Sequence, residues 1–490
     1  MIAQLRRALG STRTLELRLD YLSNRKERDA FLDWLRSERL PAVLIATCRS
    51  RRGGGFFRGS QQAQLDILAR AVRAGCRWCD VEIEVAGHFS PAELQAALAP
   101  ARLMLSHHDF HQTPRNLGPL ASRLFRAGGE IAKIAGYCRS LADSLRICEL
   151  ARGQSNIVAI PMGEAGLAGR ILAPRAGSAL TYAAAEQPTA PGQPSLDEMQ
   201  HLYRAGEITR RTRVYGVIGN PIGHSLSPVL HNTAFRARNY NAVFVPFLVR
   251  ELRDFLRSIG AFGIAGFAIT IPHKEKILRY LDECDPLAAR IGAVNTVVVR
   301  GRGRLYGYNT DYVGVLRSLE SRIRLKGSRF LLLGAGGAAR AAAFALAHAG
   351  AVVCLTARRP ERARALARAT GAQVVAAAEV RREFFDVIVN CTPVGMHPNG
   401  GSPLASEDLN CRLLMDMVYR PRMTELLRMA RRRGIETVSG VEMFLAQGFA
   451  QHEIWTGERA PEATVGRAVA GVLEREEKSM VSRRAPRRQT

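Results

Sequence analysis

The sequence predicts an α/β protein in two parts: a barrel of βα units, then a two-lobed segment whose second lobe binds a dinucleotide. Three observations carry that expectation. In the first half, short apolar runs alternate with helix-period segments about every 25 residues, the rhythm of βα units around a parallel sheet. Between residues 195 and 212 the rhythm gives way to a polar stretch with too little apolar surface for a domain, and a new apolar strand starts at Val214. Further on, an apolar run ending at Leu333 enters Gly334-Ala335-Gly336-Gly337-Ala338-Ala339 and then an alanine-rich helix. A bare G-x-G-x-x-G is a weak signal, but a G-x-G-x-x-A turn between strand and helix is the setting in which backbone N–H groups hold a pyrophosphate.

Composition narrows the class. A chain of 490 residues, 47% of them hydrophobic, exceeds one core and should form more than one domain. No uninterrupted apolar run reaches about 18 residues and the N-terminus lacks a signal-peptide core, so no membrane span and a cytoplasmic location are expected. Nine cysteines are an odd number without framework spacing, which fits reduced thiols, and the lone pair Cys76 and Cys79 is too little for a zinc site. The net charge of +26 raises nucleic acid as a partner. The excess is scattered, however, and no basic stripe is interleaved with aromatics, so small-molecule substrates are expected instead. Only six of the 70 basic residues are lysine. An arginine keeps its proton, whereas burial or a neighbouring cation can drive a lysine towards the neutral amine, which singles out Lys133 and Lys274.

Seven strands are expected in the first half, at 14–20, 42–49, 78–84, 102–110, 130–136, 156–163 and 179–184. Glu16, Arg18, Arg49, His108 and Lys133 recur at their C-terminal ends, the catalytic face of a (β/α)8 barrel. Charges within strands can be paired core ions, but five of them converging on one end favour a single site. His107 points to the opposite face of its strand, because side chains alternate.

The pieces Glu16-Leu17-Arg18-Leu19-Asp20, Thr47-Cys48-Arg49, His108-Asp109-Phe110 with Thr113-Pro114, Lys133-Ile134-Ala135, Pro161-Met162-Gly163 and Ala190-Pro191-Gly192-Gln193 span nearly the whole half in order. On them, residues 1–199 resemble a type I 3-dehydroquinate dehydratase. The resemblance implies an imine on Lys133 that acts as electron sink, with His108 as the acid–base group. It implies further that Arg170 clamps the substrate carboxylate and that Glu16, Arg18, Arg49, Thr189 and Gln193 hold the rest of the ring. Gly53 departs from the family, which usually has glutamate there, and Thr189 replaces a common serine. The family has one more strand before residue 14, so the resemblance implies a (β/α)8-type barrel lacking its first strand.

In the second half, the run from Val214 to Ile218 feeds Gly219-Asn220-Pro221-Ile222-Gly223 and presents Ser225 and Ser227 before a helix that Pro228 can open. Serines there are more often caps than ligands. With Thr270-Ile271-Pro272-His273-Lys274, Gly292-Ala293-Val294-Asn295-Thr296 and Gly307-Tyr308-Asn309-Thr310-Asp311, this segment resembles shikimate dehydrogenase. The resemblance implies Lys274 and Asp311 at the reacting carbonyl and Ser225, Ser227, Thr270, Asn295, Tyr419 and Gln447 around the substrate. Ala268 departs from a frequent asparagine. The cofactor would lie on Gly334, Ala335, Gly336, Gly337 and Ala338, with Thr392 and Met396 on the nicotinamide side. The strand near residue 356 ends in arginines, Arg358 and Arg362 among them, where an acidic residue would favour NAD, so NADP is expected.

The expected organisation is thus a dehydratase barrel at 1–199, a linker at 200–212, a substrate lobe at 213–312 completed by 440–475, a Rossmann NADP-binding lobe at 313–439, and a basic disordered tail at 476–490. Together the resemblances imply dehydration of 3-dehydroquinate followed by NADPH-dependent reduction of the product to shikimate, in a chain that could self-associate. The alternatives are an inactive barrel acting as scaffold, an NAD-dependent quinate/shikimate dehydrogenase, and nucleic-acid binding.

Overall fold

The structure, a computed structural model, describes residues 1–484 apart from Ser23, Arg39, His224, Pro398 and Asn399. His224 of the two-serine motif, and the tail residues 485–490 with Arg487 and Arg488, therefore lie outside the described residues. The chain forms two compact units, Met1–Thr212 with Phe247–Phe262, and Arg213–Pro246 with Gly263–Thr490.

In the first unit six strands, β1 (Thr14–Arg18), β2 (Val43–Thr47), β3 (Trp78–Glu82), β4 (Arg102–Asp109), β5 (Ile131–Tyr137) and β6 (Ile157–Met162), pair in parallel in chain order. Their apolar runs are buried almost throughout, as strands with both faces covered must be. Ile45, Met104, Ala135, Val158, Ile160 and Met162 fill the interior, and serine caps start the covering helices at Ser60, Ser90 and Ser140. The seventh expected strand, 179–184, does not form. It makes one hydrogen bond to β6, Ala179 N to Ile157 O at 2.8 Å, and a single bridge between Ala184 and Ser195. Thr181 spends its hydroxyl on Arg170 O at 2.9 Å, and the three alanines from Ala183 to Ala185 give the segment little to pack. Among the described residues β1 consequently has one strand neighbour, and the sheet stays open beside it.

The segment Phe247–Phe262, expected in the substrate lobe, clusters with the first unit. Its helix Leu252–Phe262 presents Phe255, Ile259 and Phe262 as a buried stripe, and Arg152 donates to Ala261 O at 3.2 Å.

The second unit holds two sheets. β7 (Arg213–Gly219), β8 (Ala242–Leu248), β9 (Ile264–Ile269), β10 (Glu283–Cys284), β11 (Thr296–Arg300) and β12 (Arg304–Tyr308) pair in the order β10-β12-β11-β9-β7-β8, with β11 antiparallel to both neighbours. The ends of β7 and β9 thus meet the start of β11 at one edge, where Ile269 N donates to Asn295 O at 2.8 Å. β13 (Arg329–Leu333), β14 (Val352–Thr356), β15 (Gln373–Val374), β16 (Phe385–Asn390), β17 (Cys411–Asp416) and β18 (Glu436–Val438) form a parallel sheet in the order β15-β14-β13-β16-β17-β18. Chain order reverses between β13 and β16, the switch point at which such sheets bind ligands. The helix Gly337–His348 packs there through alanines that bring it close to the sheet.

The tail differs from expectation. The helix Glu462–Arg484 runs through residues 476–484, and its ion pairs Glu474–Arg422 and Glu476–Arg420 tie down the point where it enters them.

Candidate active sites

The C-terminal ends of the six strands of the first unit open into one cavity lined by Glu16, Arg18, Arg49, His108, Lys133, Arg170, Thr189 and Gln193. The chain thus brings all eight expected residues together. Lys133 on β5 lies opposite Ser106 on β4, and its Nζ sits 2.7 Å from Asp80 Oδ2 and 3.4 Å from Glu16 Oε1. Asp80 also accepts from Arg49 Nη2 at 2.8 Å and from Ser106 Oγ at 2.5 Å, while Arg49 Nη1 donates to Ser106 Oγ at 2.8 Å. Thr47 Oγ1 donates to Glu16 at 2.6 Å, and the Tyr182 ring stands 4.1 Å from Lys133 Nζ. Arg18 is held bidentate by Asp20, at 2.9 and 2.7 Å.

One expectation about protonation is corrected. Burial alone would depress the Lys133 ammonium, but Asp80 and then Glu16 outweigh it and raise its pKa above the ordinary lysine value. The resting lysine is charged. His108, expected as the acid–base group, is held well below the usual histidine range, first by burial and then by the charges of Arg49 and Lys133. It is a neutral imidazole at physiological pH, and its Nδ1 is buried without a partner. Arg170 donates through Nε to Pro161 O at 2.7 Å, yet its Nη2 is also buried and unpartnered, and burial pulls its pKa down to about 10. Two orphaned polar groups in one cavity mark where a polar ligand completes the structure. As expected, His107 turns away, to Glu84 at 3.6 Å.

Two glycines shape the wall. A Cβ on Gly192, at φ +66°, would meet Gly163 O at 2.3 Å, so the Pro191-Gly192 turn can lie on the end of β6 and deliver Gln193, whose Oε1 accepts from Thr189 N and Oγ1 at 2.8 and 3.0 Å. At Gly53 a Cβ would fall 1.8 Å from Glu82 Oε1, and Glu82 itself accepts from Ser50 N, Ser50 Oγ and Gln64 Nε2 at 2.8, 2.9 and 2.8 Å. The absent glutamate side chain therefore has its space filled by Glu82. Asp80, Ser106, Tyr182 and Glu82 were not singled out in the sequence. The acids of Asp80-Val81-Glu82 close a strand just as the chosen residues do, and that shared position was the available signal.

In the second unit Lys274 Nζ is 2.5 Å from Asp311 Oδ2, and Asp311 opens the helix Asp311–Glu320. Asn295 Nδ2 bridges Asp311 Oδ1 at 2.8 Å, Thr310 Oγ1 at 3.0 Å and Gln447 Oε1 at 3.4 Å. Thr310 N and Thr296 Oγ1 both donate to Asn295 Oδ1 at 2.7 Å, which fixes the amide orientation. Thr270 follows β9 and donates its N–H to Ile218 O at 3.0 Å, placing it beside the loop that carries Ser225. Ser225 Oγ accepts the Ser227 N–H at 3.2 Å, a cap-like contact, and Ser227 starts the helix Ser227–Ala237. Tyr419 stacks on Phe444 at 4.7 Å, one turn of helix from Gln447.

The dinucleotide turn lies against this group: a Cβ on Gly337 would sit 3.6 Å from Lys274 Cδ. Gly334 takes φ +111°, and a Cβ there would be 3.1 Å from Thr392 Cγ2, so the Thr392 loop closes on the turn. A Cβ at Gly336 meets no protein atom within 4 Å, which leaves open room before the helix N-terminus. Arg358 and Arg362 are exposed and pair with no carboxylate among the described residues. Thr392 is fixed through Asn390, 2.7 Å from its hydroxyl, and Met396 is exposed on the same loop. These residues fit NADP.

Fold and sites define a chain that joins an imine-forming lyase to a nicotinamide-dependent oxidoreductase. Known proteins agree. Residues 1–210 match the model of type I 3-dehydroquinase, 217–297 the shikimate dehydrogenase substrate-binding domain, 329–419 an F420-dependent NADP oxidoreductase model, and 440–469 the shikimate 5'-dehydrogenase C-terminal domain. The chain is 36% identical over 472 residues, 91% of its length and 78% of the relative's, to the chloroplastic bifunctional 3-dehydroquinate dehydratase/shikimate dehydrogenase of Arabidopsis thaliana. It is 42% identical over 285 residues, 55% of the chain and all of the relative, to the NADP(+) shikimate dehydrogenase of Methanothermobacter thermautotrophicus. A shikimate dehydrogenase solved with NADP+ superposes with TM-score 0.52 at 36% identity, covering 54% of this chain and 97% of that one.

The chain belongs to the bifunctional 3-dehydroquinate dehydratase/shikimate dehydrogenase family. Its activities are those of a lyase and an NADP-dependent oxidoreductase acting on small molecules of the shikimate pathway. Among the described residues no helix is long and apolar enough to cross a membrane, and no group of His, Cys, Asp or Glu could hold a metal ion.

Proposed function

We propose that Lys133 and His108 carry out the dehydration of 3-dehydroquinate and that Lys274 and Asp311 serve the reduction of 3-dehydroshikimate. The observation that carries the first assignment is Lys133 Nζ at 2.7 Å from Asp80 in a cavity that also holds the unpartnered atoms of His108 and Arg170. The ammonium passes its proton to a carboxylate, Asp80 being nearest, and the free amine attacks the ketone. The carbinolamine hydroxyl leaves as water, taking that proton back from Asp80, and the protonated imine forms. Neutral His108 then removes the proton next to the imine carbon, the enamine expels the β-hydroxyl, and His108 returns the proton to it as a second water departs. A third step, hydrolysis, restores Lys133. The Arg170 fork suits the carboxylate, and Glu16, Arg18, Arg49, Thr189 and Gln193 suit hydroxyls and carbonyl.

In the second unit NADPH, when bound, supplies hydride to the ketone carbon. Lys274 sits where an ammonium can stabilise the developing alkoxide and give it a proton, with Asp311 orienting that ammonium at 2.5 Å. Ser225, Ser227, Thr270, Asn295, Tyr419 and Gln447 support binding of the substrate's polar rim, and Arg358 and Arg362 suit the 2′-phosphate. The limits of the barrel at 1–199, the linker at 200–212 and the Rossmann lobe at 313–439, a cytoplasmic location, self-association, and partners confined to small molecules form part of this proposal.

NADPH absorbance is followed after adding 3-dehydroquinate, with 3-dehydroshikimate in parallel, and imine is trapped with borohydride. The expected result is NADPH consumption with either substrate and an adduct on Lys133 that Lys133→Ala abolishes while dehydrogenase activity remains. Consumption with 3-dehydroshikimate alone, and no adduct, would overturn the dehydratase assignment.

A further inference from the structure

A cavity of about 1180 Å³ lies outside both sites, between the helices Arg25–Glu38 and Gln61–Arg73 of the first unit. Five arginines line it: Arg25, Arg28, Arg58, Arg70 and Arg73. Carboxylates near them are already committed. Asp29 is shared by Arg70 and Arg25, Asp20 is held by Arg18 and the Phe56 N–H, and Asp66 accepts from Gln62 at 2.9 Å. Arg28, Arg58 and Arg73 have no carboxylate within salt-bridge distance among the described residues, and Arg28 Nε is shielded from solvent without any hydrogen-bond partner. Arg28 donates through Nη1 to Leu22 O at 2.7 Å and Arg58 and Arg73 are exposed, so this concave surface keeps spare guanidinium donors without a carboxylate, which an anion with several oxygens can take up.

At the rim Phe56 is 60% exposed and Tyr21 48% exposed, and the two rings meet edge to face at 4.8 Å. Such a platform can carry a planar base.

We propose that this groove binds a polyphosphate chain, either free or carried by a nucleoside. The site is independent of both catalytic assignments. Guanidinium forks on the two helices grip successive phosphates, and Phe56 offers a face to a base where one is attached.

The test is calorimetric titration of the full chain at low ionic strength with sodium tripolyphosphate and, separately, magnesium-free ATP, in saturating NADP+ so that the dinucleotide turn is occupied. One saturable site per chain is expected. The double variant Arg58→Ala/Arg73→Ala, both exposed positions, should bind about tenfold more weakly for each guanidinium removed. Unchanged dehydratase and dehydrogenase rates in that variant show that it folds, and Arg58→Lys/Arg73→Lys should recover part of the affinity. Tighter binding of ATP that Phe56→Ala erases assigns the site to nucleotides, and equal affinity for the two probes assigns it to free polyphosphate. The proposal is overturned if neither probe saturates, or if the double variant binds both as tightly as the parent, because the anions then sit on the general positive surface.

Discussion

Replacing Asp80 with asparagine tests how the imine lysine is controlled. Asp80 is fully buried between two buried cations, 2.7 Å from Lys133 and 2.8 Å from Arg49. Neutralising it leaves the two cations with Glu16, 3.4 Å from Lys133, and the charge of Glu82 acting on Arg49. Removing one partner of a buried ion pair costs about 3–5 kcal/mol, and for a unit of this size the melting temperature should fall by roughly 10 °C. Chemistry should move the other way. Asp80 is the largest influence raising the Lys133 pKa against burial, so without it the amine is freed at lower pH. A neighbouring carboxylate is worth about 1–3 pKa units, so the midpoint of borohydride trapping against pH should fall by about two units, a ~100-fold larger amine fraction at a given pH. The assay follows trapped adduct by mass from pH 6 to 12, a window that reaches above the ordinary lysine value, beside a thermal melt. A trapping midpoint that stays put, or rises, refutes the assignment of Asp80 as the group holding the proton on Lys133.

Asp311→Asn should lower dehydrogenase kcat by about 10²–10⁴-fold with dehydratase turnover intact, measured with each substrate separately; equal loss of both rates would point to misfolding. The double change Arg358→Ser/Arg362→Ser should raise the NADPH KM by roughly tenfold or more and leave that for NADH nearly unchanged, read from initial rates. His231 is fully buried, stacked on Phe244 at 4.4 Å, and its pKa is pulled down to about 3 by burial and then by His452. The unfolded chain therefore takes up a proton below pH 6.5 that the folded one refuses, and stability falls as pH drops from about 6.5 towards 3. Between pH 6.5 and 5 the loss should be about 2 kcal/mol, seen as a lower urea midpoint for the dehydrogenase unit, and His231→Phe should flatten that slope.

The functional residues were legible where local pattern fixes position. His108 stands at the end of β4, where β alternation alone separates it from His107, whereas Lys133, expected at a strand end, is the third residue of β5. The turn Gly334-Ala335-Gly336 between β13 and its helix reads directly as backbone shaped for phosphate. What stayed hidden depends on contacts distant in sequence. The charge on Lys133 is decided by Asp80, 53 residues away, and the low pKa of His108 by burial first, with the charges of Arg49 and Lys133 adding to it. The segment 179–184 has strand-like residues, yet strand formation needs a ladder partner, and Thr181 bonds to Arg170 instead. The same holds for residues 476–484, whose composition suggests disorder while the helix is clamped where it enters them, Glu474 to Arg422 and Glu476 to Arg420.

The single-neighbour strand β1 sets how this enzyme ages. Glu16 and Arg18 ride on the strand of the barrel sheet with the fewest ladder bonds to lose. Warming or storage should therefore strip the first reaction from a preparation before the second, and backbone amides of residues 14–18 should exchange with deuterium ahead of those in β3 to β5. A stock standardised only on 3-dehydroshikimate would pass as fresh after its other half had faded.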